Sequence, residues 1–230
     1  NSSFTFFGMQ NLLKRLKAEG KCPIARDTII FIRQSIPGEV AVNTIRLLNF
    51  DGSNVHDLSQ GEMEAHLQIP VLIDFFRTYV PGFENCYLTS INASIGVRES
   101  RRIVGEKMLD YHDCLDGKKP EDTIALCSYF LDIHNGAGDD TTGISIEEPF
   151  GIPYGCLVSK DIKNLMMAGR DISVDPVTFG ATRIMNVCMA VGQAAGEAAA
   201  MCVAGNKIPK NVDVKELRKH LLEQKVILDV

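Results

Sequence analysis

Residues 184–204, IMNVCMAVGQAAGEAAAMCVA, run for 21 positions without a proline and with a single charged side chain, Glu197. A stretch this long, rich in alanine and glycine, predicts one helix about 30 Å long at 1.5 Å per residue. Gly192 and Gly196 are four residues apart, so they share a face. That face is expected to pack tightly against a sheet, another backbone element or a ligand. The same spacing occurs in membrane dimerisation helices. However, Asn186, Gln193 and Glu197 interrupt the run, a carboxylate in lipid is costly, and no second apolar segment accompanies it. A membrane span is therefore not expected.

The rest of the chain has to supply what this helix packs on. With 230 residues it can form one large domain or two small ones. Hydrophobic residues make up 45% and charged residues 23%, which excludes disordered, collagen-like and coiled-coil chains. A net charge of −5 gives no general attraction to nucleic acid or anionic membrane. Seven cysteines form an odd set with no Cys-x-x-Cys pair, so zinc-ribbon, haem-attachment and thioredoxin-type motifs are unsupported. Buried free thiols in a reducing, cytoplasmic setting are the plain expectation. No basic-then-apolar leader opens the chain, and Asn1-Ser2-Ser3 in place of a methionine suggests an excised fragment.

The first half carries strand signals. Residues 27–32 and 40–48 are apolar, β-branched runs flanking Pro37-Gly38, and Asp51-Gly52 marks a further turn. A helix is expected from Asp57 or Ser59 to Tyr79, broken or kinked at Pro70, with Pro81-Gly82 ending the unit. Residues 86–91 and 124–133 read as strands, and 104–111 as a short helix. Residues 136–143, GAGDDTTG, read as a polar functional loop. Later, 152–158 and 164–168 read as short strands. Asp213 is a good N-cap with Glu216 three positions on, and Val214, Leu217 and Leu221 form the apolar stripe of a terminal helix.

The segment from Asn164 to Ala200 carries the most chemistry. A strand ending at Gly169 would let a ligand approach the backbone, with Arg170 and Asp171 at the carboxyl end where open α/β sheets bind ligands. Arg183 opens the small-residue helix, whose first N–H groups and positive dipole end suit an anionic or electron-rich ring edge. This arrangement resembles the C-terminal signature of FAD-dependent oxidoreductases with a two-dinucleotide-fold-like flavin domain. More narrowly, it is similar to an FAD-dependent oxidoreductase family that carries Gly-Val-Arg-Glu-Ser/Thr-Arg-Arg, here Gly96 to Arg102. Asp132-Ile-His134-Asn135, Ile152-Pro153-Tyr154 and Asn211 to Leu217 match as well, in order, across roughly residues 40–228.

The resemblance implies an α/β chain in two parts: residues 1–158 as a β-rich, α+β substrate-type domain, and 159–230 as the C-terminal strand and helices of a Rossmann-like FAD domain. It implies that Gly169, Arg170 and Asp171 meet the ribityl chain, and that Met185, Asn186 and Val187 point N–H groups at the flavin N1/O2 edge. Arg183, His134 and Arg98 are the catalytic candidates. Arg183 is the strongest, because a cation at a helix N-terminus is locally unfavourable and an anion would compensate it. Arg98 stands for the Gly96–Arg102 segment, in which Arg101 and Arg102 compete for the same role and a solvated strand is the plain alternative. His134 can equally be an ordinary hydrogen-bonded histidine. Tyr154 either lines the flavin cavity or packs in the core with its hydroxyl satisfied.

Relatives often carry a histidine after the Arg-x-Ile-Ser stretch, whereas this loop reads Val174-Asp175-Pro176-Val177-Thr178, so that histidine's role is not transferred. Nor does the chain contain the Gly-x-Gly-x-x-Gly that cradles the FAD pyrophosphate. It therefore reads as the C-terminal part of a flavoprotein whose missing N-terminal half is its partner. Such a part is expected to self-associate and to hold no FAD alone. The expected reaction is hydride transfer between flavin and a small anionic substrate. A non-catalytic ligand- or partner-binding module using the 136–143 loop is the alternative, and a metal-dependent hydrolase built on Asp132 and His134 is the third. No metal site is expected: Asp110-Tyr-His112-Asp113 fits no standard spacing.

Overall fold

In the first half of the chain, Pro37-Gly38 does what its sequence suggests and reverses the chain between two strands. The structure, a computed structural model, describes residues 4–134 and 141–229. These fall into two compact units, residues 4–100 and residues 101–134 with 141–229. Both units mix helices with small antiparallel sheets.

In the first unit, β1 (Thr5–Gly8), β2 (Ile29–Arg33) and β3 (Val40–Asn43) form an antiparallel sheet in that order. β1 connects to β2 through α1 (Gln10–Ala18), which buries Leu13 and Leu16. α2 (Val55–Tyr79) follows, capped by the Asn54 side chain, which accepts the His56 N–H. The core joins Leu13 and Leu16 to Ile29, Phe31, Phe75 and Phe76. The rings of Phe31, Phe76 and Phe83 pack with centroids 5.1–5.9 Å apart. Helix α2 continues through Pro70, contrary to the break expected there. Pro70 is exposed, so the carbonyl it leaves without a donor is open to water. Residues 86–91 form no strand.

The second unit opens on residues 101–110, where the expected helix does not form. The backbone groups there are taken by neighbouring segments: Ile103 donates to Asp171, Glu106 to Val158, Lys107 to Gly155 and Leu109 to Ser173. Val104 and Met108 stay exposed, so a helix would have had no second apolar residue to bury beside Leu109. α3 (Tyr111–Leu115) is capped by Asp110, whose carboxylate accepts the N–H groups of His112 and Asp113. In place of the single strand expected over 124–133 there are two, β4 (Thr123–Cys127) and β5 (Leu131–His134). β5 pairs with β6 (Thr141–Ile144), and β4 pairs with β7 (Phe150–Pro153), both antiparallel. The polar loop read over 136–143 lies outside the described residues as far as position 140.

The expected strand at 164–168 is reduced to a bridge between Val158 and Met166, with Met167 donating to Leu157. A single strip of partner backbone is all that this segment finds. The short α4 (Phe179–Thr182) leads into α5 (Met185–Gly205), and α6 (Val214–Glu223) closes the unit. Asp213 caps α6 by accepting the N–H groups of Lys215 and Glu216, and Leu217 and Leu221 are fully buried, as their spacing required. Phe150, Ile124, Ile152, Leu157 and Leu217 centre the core on which α5 lies. Tyr154 is buried, its hydroxyl donating to the Pro209 carbonyl at 2.9 Å, so it belongs to this core. Burial pushes the thiols of Cys114 and Cys156 up to about 12 and that of Cys127 up to about 11, which keeps them neutral packing groups.

Helix α5 packs through Val187, Val191, Ala194, Ala198 and Cys202. This corrects the expectation for the glycine face, since a Cβ at Gly192 or Gly196 would meet nothing within 4 Å. Met185, Met189 and Val203, on the same side of the helix as these glycines, stay exposed as well. By length and apolarity α5 could cross a membrane, but its buried stripe lies on protein, and Gln193 and Glu197 are bonded to Gln224 of the segment after α6. The close backbone contact is at Gly180, where a Cβ would lie 2.7 Å from the Asp132 carbonyl oxygen. Gly180→Ala should destabilise the protein by about 1–3 kcal/mol through overpacking. Gly196→Ala, in open space, should instead stabilise by about 0.5–1 kcal/mol through helix propensity. Paired urea melts of the two variants check the contrast.

His220 fastens α6 to α5. Its Nδ1 lies 2.7 Å from Glu197 Oε1 and its Nε2 lies 3.3 Å from Glu216 Oε1. The hydrogen bond to Glu197 raises the His220 pKa above the ordinary 6.5, with the Glu197 and Glu216 charges adding to it. Hydrogen bonds from Gln224 and then His220 lower that of Glu197 below 4.5. The histidine contribution is therefore complete below its unfolded value of 6.5 and is lost as pH rises through the raised folded value. The Glu197 contribution is present above 4.5 and lost on acidification. The melting-point gap between wild type and His220→Gln should be widest between these limits and close in alkaline buffer. Thermal melts across that range measure it.

Candidate functional site at the start of α5

Asp175 organises the approach to α4. Its Oδ1 accepts the N–H groups of Val177 at 2.6 Å and Thr178 at 2.8 Å, and its Oδ2 accepts the Thr178 hydroxyl at 3.1 Å and the Tyr111 N–H at 2.6 Å. An aspartate at the head of a turn suits this role because its short carboxylate reaches N–H groups two and three residues on. The 174–178 loop is thus held by a carboxylate.

Helix α4 ends at Arg183, and α5 begins one residue later with Ile184 in an extended conformation and no side-chain cap. The first bond of the α5 ladder runs from the Cys188 N–H to the Ile184 carbonyl at 2.9 Å. The N–H groups of Met185, Asn186 and Val187 precede it. Met185 and Asn186 are exposed, whereas the Val187 side chain is buried in the core. Three uncapped donors with the positive end of a long helix behind them form a receptor for an electron-rich group.

The Gly169–Asp171 turn lies beside this helix start. Burial raises the pKa of the Cys188 thiol in the first turn of α5, the Arg170 charge opposes that rise, and the Asp171 charge adds to it. Gly169 has φ +108°, a conformation natural to glycine, and the space its missing side chain leaves has Asp171 Oδ1 3.9 Å away as its nearest neighbour. The Asp171 carbonyl accepts the Ile103 N–H at 2.8 Å, fixing the turn. Its Oδ1, however, is buried and accepts no hydrogen bond. Buried acceptors are nearly always paired, so the missing donor here is a water or a ligand.

Arg183 and Asp132 form an ion pair at 2.5 Å, both mostly buried. The same Arg183 Nη2 also reaches the Asp132 main-chain oxygen at 3.5 Å. The compensating anion expected for Arg183 is thus supplied by the protein itself, from β5. The full positive charge of Arg183 against the Asp132 carboxylate also disfavours a metal there. No local sequence signal links Asp132 to Arg183, because 51 residues separate the two. His134 follows on β5, its backbone opposite Thr141, and its side chain lies outside the described part of the structure. Arg98 is exposed and belongs to the first unit, so the 96–102 segment is divided between the units. Arg102, in the second, places its guanidinium 5.4 Å from the centroid of Phe179, the first residue of α4.

The uncapped helix start, the glycine turn and the orphaned carboxylate oxygen thus lie in one neighbourhood of the second unit. A family model for FAD dependent oxidoreductases matches residues 7–221. The chain belongs to the FAD dependent oxidoreductase family. No curated protein and no solved structure matches it.

Asp171→Ala should raise stability in the flavin-free protein by about 1 kcal/mol, since it removes an unsatisfied buried acceptor that costs roughly 1–3 kcal/mol and only a small side chain's packing is lost. Urea unfolding of the variant tests this. A lower midpoint would mean that the carboxylate contributes to the fold rather than waiting for a ligand.

Proposed function

We propose that this chain supplies the ribityl and ring end of an FAD site in an oxidoreductase acting on a small anionic substrate. The observation that carries the reading is the buried, unpartnered Asp171 Oδ1 beside Gly169 and the start of α5. Asp171 accepts from ribityl hydroxyls, the Gly169 turn with Arg170 admits the chain, and the N–H groups of Met185, Asn186 and Val187 donate to the N1/O2 edge. Bound FAD supplies the two-electron chemistry. Arg183 holds the substrate's anionic group, with His134 available for proton transfer.

In this reading residues 159–230 form the C-terminal portion of a Rossmann-like flavin domain and residues 1–158 a substrate-type domain. The chain has no Gly-x-Gly-x-x-Gly, so the pyrophosphate cradle comes from a partner segment outside it, and the isolated chain is inactive. The pyrophosphate contacts are then missing, and FAD should bind no better than its riboflavin half. Titrations of flavin fluorescence with the purified chain should give weak affinities for FAD and riboflavin that agree within about threefold, that is, within about 0.7 kcal/mol. Asp171→Ala should lose both. FAD binding more than about tenfold tighter than riboflavin would place a pyrophosphate site within this chain and overturn the division proposed here.

A further inference from the structure

The outward stripe of α2 is apolar where a surface helix is ordinarily polar. Leu67 is 75% exposed, Met63 61% and Val71 49%, and their spacing of four places them on one side of the helix. The stripe is also symmetric about Leu67. Four positions out on either side stand Met63 and Val71, seven out Gln60 and Asp74, and eleven out His56 and Thr78, all of them exposed. From His56 to Thr78 this face runs about 33 Å at 1.5 Å per residue. Asp74 is its single acid. The Asp74 main chain accepts the Thr78 hydroxyl, but among the described residues its carboxylate, like the Gln60 amide, has no partner. Beside Val71 lies an open cleft of about 360 Å³, lined by Lys21 and Cys22 after α1 and by Val71, Phe75 and Tyr79 of α2.

We infer that this stripe is a self-association surface, on which α2 pairs antiparallel with α2 of a second copy about a two-fold axis at Leu67. In an isologous contact of this kind each position meets the one equally far on the other side of the axis. Leu67 then meets Leu67, and Met63 meets Val71. The Gln60 amide donates to the Asp74 carboxylate, twice over by symmetry. A parallel pairing would instead set Asp74 against Asp74 and Gln60 against Gln60. Met63 of the second copy arrives beside Val71, where an unbranched, adaptable side chain suits an irregular cleft. Glu64 follows it towards Lys21 on the cleft rim, so opposite charges meet there as well. This palindrome of size and charge is what selects a second copy as the occupant. A contact of one helix a side is at the small end of specific interfaces, so the pair should exchange in the micromolar range. It lies wholly in the first unit and is independent of the flavin reading.

Sedimentation equilibrium of the purified chain should show a mass that rises with concentration from that of one copy towards that of two. Leu67→Glu, which sets two carboxylates on the axis, should weaken association by about tenfold or more. Gln60→Glu, facing Asp74, should weaken it by about threefold, and Gln60→Lys should strengthen it by about the same factor. Both positions are exposed, so the fold is retained. Cross-linking reads the register in a Cys22→Ser background, which removes the thiol of the cleft. On oxidation Leu67→Cys should link to itself, whereas Met63→Cys and Val71→Cys should link chiefly when the two are mixed. A monomer at every concentration would overturn the inference. So would association untouched by Leu67→Glu, which would assign the stripe to a different protein. Gln60→Glu and Gln60→Lys moving the constant in the same direction, or Met63→Cys linking to itself as fast as to Val71→Cys, would exclude the antiparallel pairing.

Discussion

The Asp175 carboxylate gathers four donors from two distant segments, and the geometry around α5 depends on it. Two come from the backbone just after it, one from the Thr178 hydroxyl, and one from Tyr111 at the start of α3. Each bond to an ionised acceptor is stronger than a neutral one. Together they fix where α4 begins. Since α4 is only one turn long, its end at Arg183 and the start of α5 are set by the same anchor. The Cys114 thiol lies 3.6 Å from the Thr178 hydroxyl and, being neutral, adds contact there without a competing charge.

From that anchor, two backbone-level constraints converge on the head of α5. Gly180 presses α4 on β5, and the Arg183–Asp132 pair closes the junction. On the other side the bond from Ile103 to the Asp171 carbonyl fixes the glycine turn. A buried ion pair is weak evidence for stability, because the charges must be stripped of water. Its use here is orientation. A charge held on rigid elements is better placed for a ligand than one on a loop, provided that its surroundings lock it.

The elements that sequence revealed are those whose signal is local. Asp213 with Glu216 foretold the cap of α6, Leu217 and Leu221 its buried stripe, and Pro37-Gly38 the turn between β2 and β3. The long run of small residues foretold α5. What sequence could not show was which partners compete for a backbone. Residues 103–109 have no regular periodicity of their own, and their hydrogen bonds go to segments some 50 or more positions later. The glycines of α5 misled because composition records that small residues permit close approach, not which stripe achieves it. Of the candidate site, Gly169, Asp171, Arg183 and the helix start are the parts that motif and resemblance single out. The Asp132 partnership was not, since nothing local joins a strand residue to a helix end.

Pro70 has a dynamic consequence. The N-terminal half of α2 is held where Gly61 lies under Leu47, Phe50 and Ile95 and where the Glu62 carboxylate accepts the Ile95 N–H, whereas the C-terminal half is held by Phe75 and Phe76 in the aromatic cluster. Between them the helix shows Met63, Leu67 and Val71 to solvent, and its ladder lacks one rung. A rod of 25 residues is thus two cooperative segments sharing one axis. Amide protons on either side of the proline will exchange with solvent on separate clocks, each set by its own anchor, and neither half needs the other to open.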